Sequence, residues 1–226
     1  MTDGEQDETH DLRSFGRRRG RKPSERQVAL MHEVLPRVAV DRSAPSNSQG
    51  TGEKWIEIGF GGGEHLIWQA KHNPDVAIIG CEPFEDGVIK VLTKIDDDKI
   101  GNIRLHMGDA RDVLRWLPEA SIARAFVLFP DPWPKRKHRK RRLVNPVTLA
   151  LLARVMKPGA ELRIGTDIGD YARTILQAFS TQSDFDWLAE GPNDWRVRPA
   201  DWPETRYEQK AEREGRARYY LRFLRA

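Results

Sequence analysis

Short apolar runs of strand length recur along this chain, and each is followed by a stretch with helical spacing. Lys54–Gly59 reads as a strand, and Glu64 to about Lys71 as a helix. Val76–Cys81 is almost continuously apolar, as expected of a strand covered on both faces, and a helix follows from Phe84 to about Ile95. Ile103–Met107 and Ala110–Leu117 repeat the pair, and Ala125–Phe129 forms a fourth strand. Asn145 and Pro146 supply a cap and a first-turn proline to a helix that runs to about Met156 and stops at Lys157-Pro158-Gly159. A fifth strand over Ala160–Gly165, a helix over Asp170–Phe179 and a strand-like end over Arg218–Leu224 complete the series. Repeated βα units leave few folds open. They imply an α/β, Rossmann-like, mostly parallel sheet with right-handed crossovers and helices on both faces. Ligands of such sheets bind at the carboxyl ends of the strands, near the switch point. That rule gathers Gly59, Glu82, Asp109, Asp131 and Asp167 on one rim.

A chain of 226 residues holds one well-buried domain with an appended arm. Residues 1–22 contain few large apolar side chains and pass from acidic to basic at Arg17-Arg18-Arg19-Gly20-Arg21-Lys22, which reads as a disordered arm, with the domain over 23–226. Apolar spacing over Ser24–Val38 predicts a short helix, and Arg42–Gly52 a Ser/Gly/Pro loop. A single cysteine, Cys81, points to a reducing compartment, and its place in an apolar strand makes it a core residue. The start lacks a signal-peptide apolar region and no apolar run approaches the roughly 20 residues of a membrane span, so a cytoplasmic location is expected. The six histidines show no metal-ligand spacing, and no metal is expected. Trp187, Trp195 and Trp202 read as packing residues.

The first βα turn is Glu57-Ile58-Gly59-Phe60-Gly61-Gly62-Gly63-Glu64. A dinucleotide fingerprint would place glycine where Glu64 stands, and a glutamate there would repel a pyrophosphate. No Gly-Lys-Ser/Thr follows, which excludes a P-loop. The expected ligand is a nucleoside without phosphates. Glu82 ends the second strand at about the spacing from the glycines at which a carboxylate accepts ribose hydroxyls. Asp109, in Gly108-Asp109-Ala110, faces an adenine edge or caps the next helix. The ordered set Glu57, Glu82 and Asp109 favours S-adenosylmethionine, whose adenosine, amino acid and sulfonium parts suit an acidic pocket.

The stretch from Phe129 to Arg142 reads F-P-D-P-W-P-K-R-K-H-R-K-R-R. Asp131 is boxed between prolines beside Trp133, which suits it to hold a flat polar group. All of the eight residues Lys135–Arg142 except His138 are Lys or Arg, so the modest net charge of +4 is locally concentrated in a phosphate-binding run. Chemistry on a base within a nucleic acid follows from the pair.

Taken in order, G-F-G-G-G-E, C-E-P, G-D-A, F-P-D-P-W-P-K-x-x-H-x-K-R-R, G-T-D and T-R-Y-E resemble the tRNA (guanine-N7)-methyltransferase family over about residues 24–226. The departures are small: Gly62 replaces a residue that is often larger, and Ile168-Gly169-Asp170 is one of several variants. The resemblance implies a class I methyltransferase fold, a seven-stranded sheet with an antiparallel last strand, and methylation of N7 of a guanosine in the tRNA variable loop. It implies cofactor contacts from Glu57, Gly59, Gly61, Glu82, Asp109 and Asp131, with Asp131 catalytic. Lys135, Asp167, Thr205, Arg206, Tyr207 and Glu208 would hold the target nucleotide, and Lys137, His138, Arg139, Lys140, Arg141 and Arg142 would contact RNA. Other readings stay open from the residues alone. A base amino-methyltransferase is one, since Asp-Pro-Trp-Pro resembles the D-P-P-W loop. A non-catalytic RNA-binding module of the same fold is another; a nicotinamide oxidoreductase is disfavoured by Glu64. Monomer and homodimer both remain open.

Overall fold

The computed structural model describes residues 20, 22–42 and 52–226. Most of the expected arm and most of the expected Ser/Gly/Pro loop lie outside the described residues. Seven strands form one sheet: β1 (Lys54–Ile58), β2 (Ala77–Cys81), β3 (Ile103–His106), β4 (Ile122–Leu128), β5 (Met156–Thr166), β6 (Phe185–Trp187) and β7 (Tyr219–Arg225). Their spatial order is β3-β2-β1-β4-β5-β7-β6, and β1 to β5 are parallel. The last strand runs antiparallel to both β5 and β6. This is the expected class I methyltransferase architecture.

Side-chain alternation explains the two-faced packing. Ile56, Ile58, Ala125 and Val127 point to one face, and Trp55, Phe126 and Leu128 to the other. On the first face lie α5 (Ala110–Trp116), α6 (Pro146–Val155) and α7 (Gly169–Ser180); on the second lie α1 (Glu25–Glu33), α3 (Glu64–His72) and α4 (Glu85–Asp98). Asn145 caps α6 as expected, its side chain accepting from the Thr148 N–H, with Pro146 in the first turn.

The expected single helix over 24–38 is two. Ser24 opens α1 with a capping box, and α2 (Leu35–Val38) begins afresh with Pro36 in its first turn, which lacks the N–H a continuous helix would need. The strand expected from Ala160 starts instead at Met156, directly after α6. Ile122 pairs with Met156, and the register shifts before Arg124, so Lys157–Gly159 forms an irregularity inside β5. Three elements fall outside the apolar periodicity of the sequence: β6, α8 (Asn193–Arg196) and α9 (Arg206–Arg213). The first two are three or four residues long, and α9 is nearly all polar. Trp202 is core and Trp195 stacks on Tyr219, whereas Trp187 is exposed on edge strand β6 rather than packed.

Candidate active site

The chain leaves β1 toward β2 and β3, then returns to β4 on the other side. A cavity of about 390 Å³ opens at that switch point, on the carboxyl edge. Its walls include Gly59, Gly61, Glu82, Asp109, Asp131, Arg206 and Tyr207. The rim inferred from strand order is therefore real, with one exception: Asp167 follows β5 but does not line the cavity.

Glu82 organises the cofactor side. One carboxylate oxygen accepts the Gly61 N–H at 2.8 Å and the other the Phe84 N–H at 2.9 Å. Each oxygen keeps a lone pair for a hydroxyl donor. Burial pushes the carboxyl pKa up, the two backbone bonds oppose it, and nearby Asp131 adds to the rise. Gly61 adopts φ +55°, and a Cβ there would meet the Tyr207 hydroxyl at 3.1 Å, so glycine both makes this turn and admits α9. Gly87 in α4 has the same function from the other side, since a Cβ would collide with the Gly61 carbonyl.

Asp109 lines the cavity, and it takes the expected capping role on α5 by accepting the Arg111 N–H at 3.0 Å. Its carboxylate also accepts the Arg111 Nε–H at 2.9 Å. Glu57 stands apart from the other acidic residues. It is buried in mid-strand, 2.8 Å from His65 Nδ1, and does not line the cavity. Glu64, the residue that disfavoured a pyrophosphate, lies 3.5 Å from Arg206 Nε.

Asp131 is carried by a loop held in an unusual backbone shape. Phe129 has φ +50° and Trp133 φ +41°, left-handed values that bulky residues rarely adopt. Each costs on the order of 1–3 kcal/mol and persists only where its surroundings impose it. Here the Phe129 N–H donates to the Gly165 carbonyl at 2.7 Å, and Arg142 Nε–H donates to the Pro132 carbonyl at 2.9 Å. Arg141 lies over the Trp133 ring at 5.0 Å, and His138 meets the same ring edge-on at 5.9 Å. Asp131 is solvent-exposed as a residue, yet partial desolvation of its carboxyl raises its pKa above the usual aspartate value.

The basic run folds as a 3-10 helix over Arg136–Arg141. Lys135, Lys137, Arg139 and Lys140 are exposed; Arg139 also pairs with Asp170 at 3.0 Å. Desolvation, then the cations Arg141, Lys137 and Lys135, lower the His138 pKa, so its ring is the weakest cation of the run. Arg142 corrects the expectation that the whole run faces RNA. It is 2 % exposed, and its guanidinium donates to the Pro132 carbonyl, the Thr174 hydroxyl and Asp170. Arg142 thus ties the Asp131 loop to α7. Arg142→Met, which keeps the aliphatic bulk, is expected to lower unfolding stability by about 2–3 kcal/mol, read by urea denaturation. A surface role alone would leave stability unchanged.

The T-R-Y-E segment divides by residue. Thr205 and Glu208 form a capping box at the start of α9, and Glu208 further accepts the Tyr220 hydroxyl at 2.8 Å. Both are buried. Arg206 and Tyr207, between them, project into the cavity wall. Asp167 accepts from Arg216 Nε at 2.7 Å, a partner no sequence motif marked. Among the described residues no cluster of His, Cys, Asp or Glu fits a metal, and no helix is long and apolar enough to cross a membrane.

Residues 52–221 match the model of a family described as putative methyltransferases. A tRNA (guanine-N(7)-)-methyltransferase of Ruegeria sp. is 47% identical over 93% of this chain and 87% of its own. That of Jannaschia sp. is 46% identical over 99% of this chain and 98% of its own. The chain belongs to the tRNA (guanine-N(7)-)-methyltransferase family. Solved structures share the fold at much lower identity. The aminoglycoside resistance methyltransferase NpmB1 superposes with a TM-score of 0.54 at 19% identity, covering 83% of this chain and 94% of its own. A putative methyltransferase from Streptococcus mutans in complex with SAH gives 0.51 at 14%, covering 90% and 100%. Within this methyltransferase family member, sequence motifs missed Arg111 and Phe129, which line the cavity, and Arg216, which holds Asp167. Arg111 sits two residues past a capping aspartate, a spacing that favours a local ion pair. Arg216 carried no such signal.

Proposed function

We propose that this chain transfers the methyl group of S-adenosylmethionine to N7 of a guanosine in tRNA, and that this guanosine lies in the variable loop. The supporting observation is the cavity that joins two unlike halves: a nucleoside cradle at Gly61 and Glu82, and a fixed carboxylate, Asp131, beside a cationic helix. The cradle fits the cofactor. A volume of about 390 Å³ suits a ligand of this class, and Glu82 retains acceptor capacity for two ribose hydroxyls. When bound, S-adenosylmethionine supplies a methyl group made electrophilic by a sulfonium. Glu82, Asp109 and Asp131, all on the cavity wall, give the region the negative charge a sulfonium favours.

N7 of guanine carries an in-plane lone pair and no proton, so the reaction needs alignment rather than a strong general base. Asp131 accepts the guanine N1–H and N2–H and stabilises the purine as it becomes cationic. Only the carboxylate form does this. Because desolvation raises the Asp131 pKa, the acid limb of the rate profile should fall above the usual aspartate range, activity being lost as pH drops through that value. Lys135, Lys137, Arg139, Lys140 and Arg141 face the RNA phosphates, with Arg206 and Tyr207 on the acceptor side, held there by the Thr205–Glu208 cap of α9. A tRNA substrate implies a cytoplasmic enzyme.

The test is to incubate the protein with unmodified tRNA and labelled cofactor, then map the label. N7 methylation makes the base labile to mild reduction and cleavage, which separates it from exocyclic amino methylation. Label at a position outside the variable loop would remove that part of the reading. A second expectation concerns the exposed cations. Neutralising Lys137, Arg139 and Lys140 should weaken tRNA binding and lower the slope of log affinity against log salt by about one for each phosphate no longer neutralised. Cofactor affinity should not change; an unaltered slope would place the RNA elsewhere.

A further inference from the structure

We propose that Phe129 and Tyr207 form an aromatic platform that seats the acceptor base, making Phe129 a positioning residue for methyl transfer. The proposal rests on the tRNA methyltransferase reading above and adds a residue that reading does not use. The two rings are nearly parallel, 14° apart in plane, with centroids separated by 6.4 Å. Both line the cavity, and Asp131 lies two residues beyond Phe129. They come from distant parts of the chain: Phe129 follows β4, and Tyr207 lies in the first turn of α9.

Three observations single the pair out. The first is the backbone of Phe129. At φ +50° glycine would adopt this conformation without strain, so what the position gains from phenylalanine is its ring. The second is how the ring is held. The Phe129 N–H is fixed to the Gly165 carbonyl, and a Cβ on Gly165 would lie 3.2 Å from the ring, so the bare backbone of β5 provides its seat. The third is where Tyr207 stands. Its hydroxyl approaches the glycine turn at Gly61, while its ring faces Phe129. One side chain thus spans from the cofactor cradle to the Asp131 loop. The Arg206 guanidinium lies over the Tyr207 ring, 5.0 Å from its centroid, and holds the ring in place by a cation–π contact.

A base seated on such a platform is recognised by its face, whereas Asp131 reads its edge. Stacking fixes the plane of the purine, and alignment of N7 with the methyl group depends on that plane. The platform accepts any purine; the edge contacts then select guanine. Stacking on aromatic side chains tolerates different bases in the same way.

The test compares Phe129→Leu and Tyr207→Leu with Phe129→Tyr and Tyr207→Phe. Single-turnover methyl transfer is measured at saturating tRNA and cofactor, with cofactor affinity and tRNA affinity measured separately. Loss of one stacking surface should slow transfer by about ten- to a hundredfold in the leucine variants. The aromatic exchanges keep a stacking surface and should lose clearly less than the leucine variant at the same position. Cofactor affinity should be unchanged in all four, which also shows that the variants are folded, and Tyr207 is exposed enough to be replaced without core damage. Wild-type rates in the leucine variants would overturn the platform. So would a loss of cofactor affinity that matches the loss of rate, which would assign the rings to the cofactor. A wild-type protein that labels no tRNA would instead overturn the tRNA methyltransferase reading, so the two failures are distinct.

Discussion

Asp131→Ala is expected to lower methyl transfer to tRNA by at least about 10²–10³-fold while the protein stays folded. The magnitude is that of removing one preorganised group aimed at developing charge. Three features of the structure make the effect specific. Asp131 is exposed on a loop, so its truncation leaves no cavity in the core. The loop is fixed through its neighbours, the Phe129 N–H to Gly165 and the Pro132 carbonyl to Arg142, and neither bond involves the Asp131 side chain. Asp131 is also near enough to Glu82 to raise its pKa, so removing it relieves a like-charge interaction. Thermal stability should therefore match wild type or exceed it slightly. The decisive measurement is single-turnover transfer with saturating tRNA and cofactor, beside a melting curve. Turnover near wild type would exclude Asp131 from the chemistry.

Glu82→Gln should reduce cofactor affinity by about tenfold or more. The loss of a charge-assisted acceptor accounts for roughly 1.5–3 kcal/mol. The structure adds a second effect. Each oxygen of Glu82 holds a backbone N–H, from Gly61 on one side and Phe84 on the other. A glutamine has one carbonyl oxygen, so its amide would face one of those donors. The glycine turn and the start of α4 should both loosen, and the melting temperature should fall along with cofactor affinity. Binding of tRNA should barely move, because the cationic helix follows β4, not β2. Calorimetric titration of cofactor and a filter-binding assay with tRNA separate the outcomes. A variant with normal cofactor affinity and weakened tRNA binding would turn the acidic rim into part of the RNA surface.

The motifs identify the right rim but treat some of its residues too uniformly. Lys137 to Arg142 look alike in sequence, yet Arg142 is buried and Arg141 covers Trp133. T-R-Y-E reads as one segment, yet Thr205 and Glu208 cap α9 while only Arg206 and Tyr207 reach the cavity. The Thr205-x-x-Glu208 spacing is itself a helix-start signature and would have located α9. Glu57 groups with Glu82 and Asp109 in sequence because all three are acidic and lie at strand ends or within strands. Its partner, His65, sits on the next helix, and only the packing of α3 on β1 brings the two within 2.8 Å.

Local pattern was enough to determine the alternation of strands and helices, the α6 cap at Asn145 and the rim carrying Gly59, Glu82, Asp109 and Asp131. Each of these follows from periodicity, turn chemistry or the direction of parallel strands, and all are properties of neighbouring residues. Tertiary structure alone decided which arginine of the cationic run turns inward, since Thr174 and Asp170 of α7 receive Arg142 from about 30 residues away in sequence. It alone brought Tyr207 to Phe129 and Arg216 to Asp167. The reason is physical. A side chain's helical or strand preference is set by its own backbone, but its burial and its partners are set by whatever the rest of the chain packs against it.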